Sequence, residues 1–296
     1  MSEPGQAVAA IELSVVIPAY NAATTIIDQL RALDVQQWNG RWEVVVADNG
    51  STDQTVKLVE EFARSSQNEI SIVDASGKRG AATARNIGVA NSRGRHIAFC
   101  DADDIVGSAW VSVMGDALRD HEFVTGPQEQ ELLNPSWVRN VYGSSPSREM
   151  QTFAGIFPFG PTANLGLRRD LFDRVGGFNV EIEVFEDLDL CLRIWLVGVS
   201  LRFVSDLVVH YRYRHEIKAL WRQAVAYGRA APAIALTLAK NGRRRPGRWT
   251  GAKNWLWLVR KLPTLRHRPG RARWVAVAGG AVGRLSGSVR ARSLMF

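Results

Sequence analysis

Four short apolar runs, at residues 13–17, 42–47, 70–73 and 96–100, are separated by amphipathic stretches, and this alternation constrains the fold more than any other feature. The first run is β-branched and reads as a buried strand that Pro18 ends, since proline has no N–H for a ladder. Residues 24–33 then place Ile26, Ile27, Leu30 and Leu33 on one helical face. Helices are expected again over 55–62 and 81–91. Strands that alternate with helices imply a parallel sheet in an α/β fold, and such sheets bind ligands beyond the carboxyl ends of their strands. The polar clusters of the chain fall at those ends.

The fourth run stops in Cys100-Asp101-Ala102-Asp103-Asp104, three carboxylates within four residues. At the end of a strand Asp101 and Asp103 point to one side, and hard carboxylate oxygens suit Mg2+ or Mn2+. A solvated turn in which Asp104 caps the next segment is the plainer alternative. Other nucleotide chemistries lose their warrant, because neither a Gly-x-Gly-x-x-Gly turn nor a Gly-x-x-x-x-Gly-Lys-Ser/Thr loop follows the first strand. Pro18-Ala19-Tyr20-Asn21 stands there instead, a ring and an amide suited to stacking on a base and hydrogen bonding to it. Lys78, Arg79 and Arg85 precede the carboxylate cluster, where cations could reach an anionic donor.

In order and spacing, residues 14–21, 43–53, 79–104 and 160–193 resemble the glycosyltransferases of family 2, which have the GT-A fold, a Rossmann-like, mostly parallel sheet flanked by helices. The resemblance spans about the first two thirds of the chain. It implies that Pro18, Tyr20 and Asn21 form a nucleotide loop and that Asp48 lies near base and ribose. Asp103 would ligate the metal directly, and Asp101 would do so through water or contact the ribose. Many relatives read Asp-Asp-Gly-Ser where this chain has Asp48-Asn49-Gly50-Ser51, so the acceptor for a base N–H would be the Asn49 carbonyl or Asp48. The resemblance also implies inversion, with a general base in the Glu186-Asp187 pair. Asp187 is the first choice and Glu186 the alternative. In some relatives a His at the place of His210 is a further metal ligand; a lone His after a strand is more often structural.

The expected organisation is a catalytic domain over 1–210, split into a nucleotide-sugar half (1–104) and an acceptor half (105–210), followed by a helical appendage over 211–296. Within the acceptor half, 127–151 reads as an irregular, acceptor-contacting insertion, 165–167 as a strand and 170–175 as a short helix. Charge separates domain from appendage. Residues 1–210 hold 17 Lys and Arg against 28 Asp and Glu, while residues 211–296 hold 20 against Glu216 alone. Five of the ten Trp fall in the appendage, interleaved with Leu. Such a segment suits an anionic membrane surface, with Trp255 and Trp257 at headgroup level. Nucleic acid and a merely solvated basic surface are the competing readings. Residues 241–251 read as a polar hinge.

No run reaches the ~20 apolar residues of a membrane span, and the N-terminus lacks a basic, apolar signal. The expectation is a cytoplasmic protein, peripheral on the inner face of the membrane. Cys100 and Cys191 are expected as small core residues. Function then reads as transfer of a sugar from a nucleoside diphosphate donor to a glycan or lipid-linked acceptor hydroxyl in envelope polysaccharide or glycolipid synthesis. The alternatives are a sugar-phosphate nucleotidylyltransferase and a catalytically idle binding protein.

Overall fold

The computed structural model describes residues 10–138, 149–214, 216–244, 246 and 251–290. The expected alternation is present: β1 (Leu13–Ala19), α1 (Ile26–Asp34), β2 (Trp42–Asp48), α2 (Thr55–Ser65), β3 (Glu69–Asp74), α3 (Ala81–Ala90) and β4 (His96–Phe99). β1 pairs in parallel with β2 and β4, and β2 with β3. One boundary differs, because β1 runs through Pro18, which opposes Ala47. Pairing with β4 stops at Val16, so beyond it β1 has one neighbour and tolerates a missing donor.

Residues 105–210 add β5 (Ile105–Val106), α4 (Trp110–Asp120), β6 (Phe123–Thr125), β7 (Gln128–Glu129), β8 (Gln151–Phe153), β9 (Phe157–Phe159), β10 (Leu165–Arg168), α5 (Arg169–Arg174), α6 (Glu186–Leu196), β11 (Arg202–Phe203) and β12 (Val209–His210). The main sheet has the order β11-β6-β10-β4-β1-β2-β3, with β10 antiparallel to its neighbours. Two strands thus lie inside the segment expected to be irregular, β7 and the start of β8, while residues 139–148 of it lie outside the described residues.

Two apolar clusters sandwich the sheet. One joins β1 and β2 to α1, α2 and α4. The other joins β4 and β10 to α3, α5 and α6, with Phe99 5.1 Å from Phe178 and 6.1 Å from Phe172 between ring centroids. Each large side chain buried in this way contributes about 1.5–3 kcal/mol. Cys100 and Cys191 are free and buried in these clusters.

The basic segment forms α7 (Ile217–Lys240), α8 (Ala252–Arg260) and α9 (Arg268–Arg290), and residues 245 and 247–250 of the expected hinge lie outside the described residues. Ile234 and Leu238 of α7 join the same cluster as Leu188 and Leu190, so the segment packs directly onto the catalytic layers. α7 and α9 approach each other through glycines. A Cβ on Gly283 would be driven into the Val225 carbonyl, and one on Gly287 into that of Arg229. Gly283→Leu is therefore expected to cost roughly 1–3 kcal/mol by forcing the helices apart. Gly280→Ala, whose added carbon meets only Arg284 Nη1 at 3.6 Å, should be near neutral. Thermal unfolding of both variants checks this. Among the described residues no helix is long and apolar enough to cross a membrane.

Candidate active site

The carboxyl ends of β1, β2 and β4 open into a cavity of about 610 Å³. Pro18, Tyr20, Asn21 and Asn49 line it together with Asp101 and Asp103, and Glu186 and Asp187 enter from the first turn of α6.

The carboxylate loop is held from below. Gln29 of α1 is fully buried; its Nε2 donates to the Asp101 carbonyl at 3.2 Å and its Oε1 accepts from the Val106 N–H at 2.9 Å. The oxygens of Asp101, Asp103 and Asp104 lie within 4.8 Å of one another. Burial, then the Asp101 charge, raises the carboxyl of Asp103; the same causes together with Asp103 push Asp104 far above its usual range. Asp104 Oδ2 is buried and has no partner among the described residues. Crowded, oxygen-only ligands with an orphaned acceptor fit a hard divalent cation, which would relieve the repulsion.

Arg85 ties this loop to α6. Its side chain is 4% exposed, donating to Asp101 Oδ1 at 2.7 Å and to Glu186 Oε1 at 2.8 Å. Glu186 is thereby engaged. Among the described residues Asp187 makes no ion pair: its Oδ1 accepts from the Leu188 N–H at 2.7 Å. Burial, with the adjacent Glu186 charge, raises its carboxyl to about 7. Asp189 bonds Arg193 one turn on at 2.8 Å, as the spacing predicts. Phe185, at the start of α6, holds φ +69, a strained value for a non-glycine residue, and stacks on Tyr227 at 4.8 Å.

In the loops after β1 and β2, Tyr20 is exposed, with the Arg79 guanidinium 4.8 Å over its ring. Asn21 Oδ1 accepts from the Thr52 N–H at 2.8 Å, joining the first loop to the second. Asn49 is committed to the backbone, donating to the Ala75 and Lys78 carbonyls and accepting from Gly80 N–H at 2.7 Å. Both of its amide hydrogens are thereby committed to the loop. Asp48 accepts from the N–H groups of Gly50 and Ser51 through Oδ2, and its buried Oδ1 has no partner among the described residues. Lys78 pairs with Glu181.

His210 does not join the carboxylates. β12 runs beside β7, which sets His210 against Glu129, with Nδ1 2.6 Å from Oε2. Instead the next residues reach the cluster: Arg212 donates its backbone N–H to Asp104 Oδ1 and its Nε to the Asp103 carbonyl, both at 2.8 Å. Tyr211, Arg212, Arg214, Gln223 and Tyr227 all line the cavity. These residues were missed because they lie beyond the expected boundary at 210. The alternation Tyr211-Arg212-Tyr213-Arg214, an extended strand-like pattern, was the available signal.

A parallel nucleotide-binding sheet with an Asp-x-Asp cluster at a strand end and a carboxylate pair across the same cavity defines a GT-A glycosyltransferase. The model of "Glycosyl transferase family 2" matches residues 14–176, and that of "Glycosyl transferase family group 2" matches residues 96–278. The chain belongs to glycosyltransferase family 2. It is 30% identical over 203 residues to glycosyltransferase AglE of Haloferax volcanii, covering 66% of this chain and 65% of AglE, just under two thirds of that relative's length. Over 92–93 residues similarity is sharper: 38% identity to an Escherichia coli protein named UDP-Glc:alpha-D-GlcNAc-diphosphoundecaprenol beta-1,3-glucosyltransferase WfgD, over 93 residues, 31% of this chain and 35% of WfgD. The mannosyltransferase PcManGT from Pyrobaculum calidifontis, solved with GDP-Man and Mn2+, superposes with a TM-score of 0.65 at 18% identity, covering 96% of this chain and 91% of that one.

Proposed function

We propose that this cavity moves a sugar from a nucleoside diphosphate donor to an acceptor hydroxyl in one displacement, with inversion at the anomeric carbon. The observation that carries the reading is that Asp101, Asp103 and Asp187 line one cavity, with Arg85 spanning the carboxylate loop and α6. Tyr20 stacks on the base between Pro18 and Asn21, and a base N–H is accepted by the Asn49 carbonyl or by Asp48. Asp101 reaches the ribose, and Arg79 and Arg214 face the diphosphate. Asp103, with Asp101 and Asp104, would hold Mg2+ or Mn2+. Such an ion supplies Lewis-acid stabilisation of the departing diphosphate. Asp187 takes the acceptor proton, while Arg85 holds Glu186 in an ion pair.

The raised carboxyl of Asp187 fixes a pH dependence. A base must be unprotonated, so kcat/KM is expected to fall about tenfold per pH unit below about 7. Glu186→Gln, by removing the like charge, should move this limb to lower pH while transfer persists. Abolished transfer would make Glu186 the base.

The same reading puts the enzyme on the inner membrane face in envelope polysaccharide or glycolipid synthesis, with a lipid-linked acceptor of the kind WfgD's name describes. Support comes from α8, which exposes Trp255, Leu256 and Val259 beside Lys253 and Arg260. Trp257 is not part of that surface: it packs toward Leu258 and Ala278, with Arg273 5.5 Å over its ring. Anionic vesicles should bind the chain through a salt-sensitive attraction of about 1 kcal/mol per basic residue at the surface, plus salt-resistant apolar burial. In vesicle co-sedimentation across a salt series, binding should fall without vanishing, and Trp255→Ala with Leu256→Ala should remove the remainder. Equal binding to neutral vesicles, or displacement only by nucleic acid, contradicts this.

A further inference from the structure

The entry into α6 departs from the usual pattern. Helices are ordinarily entered from an extended residue whose Ser, Thr, Asp or Asn side chain caps the first turn. Here the entering residue is Phe185, at φ +69 and ψ +24, and no side-chain hydrogen bond caps the turn. A bulky residue keeps that left-handed conformation only where its surroundings hold it. Glu186 and Asp187 follow at once, so the backbone angles at 185 set where both carboxylates point.

Two contacts from elements distant in sequence hold this start. Arg85 of α3 grips Glu186. Tyr227 of α7 stacks on the Phe185 ring, with 4.8 Å between centroids and 20° between planes, a favourable offset arrangement. Phe185 also packs against the cluster that contains Leu188 and Leu190, and Ile234 and Leu238 anchor α7 in that same cluster. The Tyr227 hydroxyl accepts from Gln223 Nε2, one turn earlier on α7, at 3.3 Å. Burial, then the Asp187 charge, raises the phenol, so the ring stands within electrostatic reach of the base. Tyr227, Phe185 and Asp187 line both the catalytic cavity and an adjoining one of about 480 Å³.

We infer that Tyr227 is a positioning residue for the transfer reaction: its ring holds Phe185 in the left-handed conformation and thereby aims Asp187 at the acceptor hydroxyl. The inference rests on the reading of Asp187 as base. It brings α7 into the chemistry without any contact between Tyr227 and the reacting atoms. A relaxed Phe185 would re-aim the first turn of α6, and a displacement of about 1 Å at a reacting group can cost about 10²-fold in rate.

The test pairs single-turnover hydrolysis of UDP-glucose and GDP-mannose by the full chain with Mn2+, water standing in for the acceptor, with nucleotide titration and a crystal structure of Tyr227→Leu. In hydrolysis water attacks the anomeric carbon, the bond to the diphosphate oxygen breaks, Asp187 takes the proton of the water and the nucleoside diphosphate leaves. Tyr227→Leu is expected to slow this step about 10–10²-fold while nucleotide affinity stays within about twofold of wild type. Tyr227→Phe, which keeps the ring, should retain at least about half the rate. In an Asp187→Asn background Tyr227→Leu should cost nothing further, because no base is left to aim. The crystal structure needs no substrate: residue 185 should leave the left-handed region and the Asp187 carboxylate should shift by about 1 Å or more. Residue 185 unmoved in that structure overturns the inference whatever the rates. So does Tyr227→Leu hydrolysing as fast as wild type, Tyr227→Phe as slow as Tyr227→Leu, or a fall in nucleotide affinity that matches the fall in rate. Undiminished hydrolysis by Asp187→Asn would instead remove the base assignment, and the crystal structure would still decide whether Tyr227 holds Phe185.

Discussion

Asp187→Asn is expected to reduce transfer by about 10²–10⁴-fold while donor affinity and thermal stability stay close to wild type. The amide keeps the shape and can still accept from the Leu188 N–H, but it cannot take a proton from the acceptor hydroxyl. Folding should not suffer, because the ionised carboxylate is itself disfavoured where it stands: burial and Glu186 hold it protonated up to about pH 7. Single-turnover transfer beside nucleotide titration separates the two effects. Near-wild-type turnover would move the base to Glu186 or out of α6.

Asp103→Ala should be as damaging, by another route. Loss of a ligand from the carboxylate loop removes several kcal/mol of charge stabilisation on the leaving diphosphate, about 10³-fold in rate, and weakens donor binding only when metal is present. The free protein offers a second readout. Asp103 and Asp104 are raised by burial and by the like charges around them, so without metal the variant should melt no lower than wild type. With Mn2+ the wild type should gain stability by linkage and the variant should not. Equal stabilisation of both by Mn2+ would place the metal elsewhere.

The nucleotide half was legible because its signals are local. Buried parallel strands read as β-branched runs, their connecting helices show a 3.6-residue stripe, and ligands collect where such strands end. The Asp101–Asp104 cluster sits on such a predicted end, whereas Glu186-Asp187 opens a helix and was singled out through the family resemblance. What stayed hidden depends on contacts far apart in sequence. Nothing near His210 announces that β12 will lie beside β7 and hand the ring to Glu129, 81 residues away. Arg212 reaches Asp104 across 108 residues, and Tyr227 meets Phe185 only because α7 packs onto α6. Composition marked the basic segment as an appendage, yet its first residues complete the cavity wall. Charge density reports where solvent is faced, not which helix closes a site. The spacing Gly279, Gly283 and Gly287 was the one local sign that α9 would pack tightly against another helix.

The most direct measurement of the central claim is saturation-transfer NMR on the full chain against UDP-, GDP- and dTDP-sugars, with and without Mg2+ or Mn2+, repeated on Asp103→Ala. Metal-dependent saturation of the base and ribose protons of at least one nucleotide sugar is expected, and it should be lost in the variant. Saturation that is absent for every nucleotide sugar, or unchanged by metal and by Asp103→Ala, would contradict it.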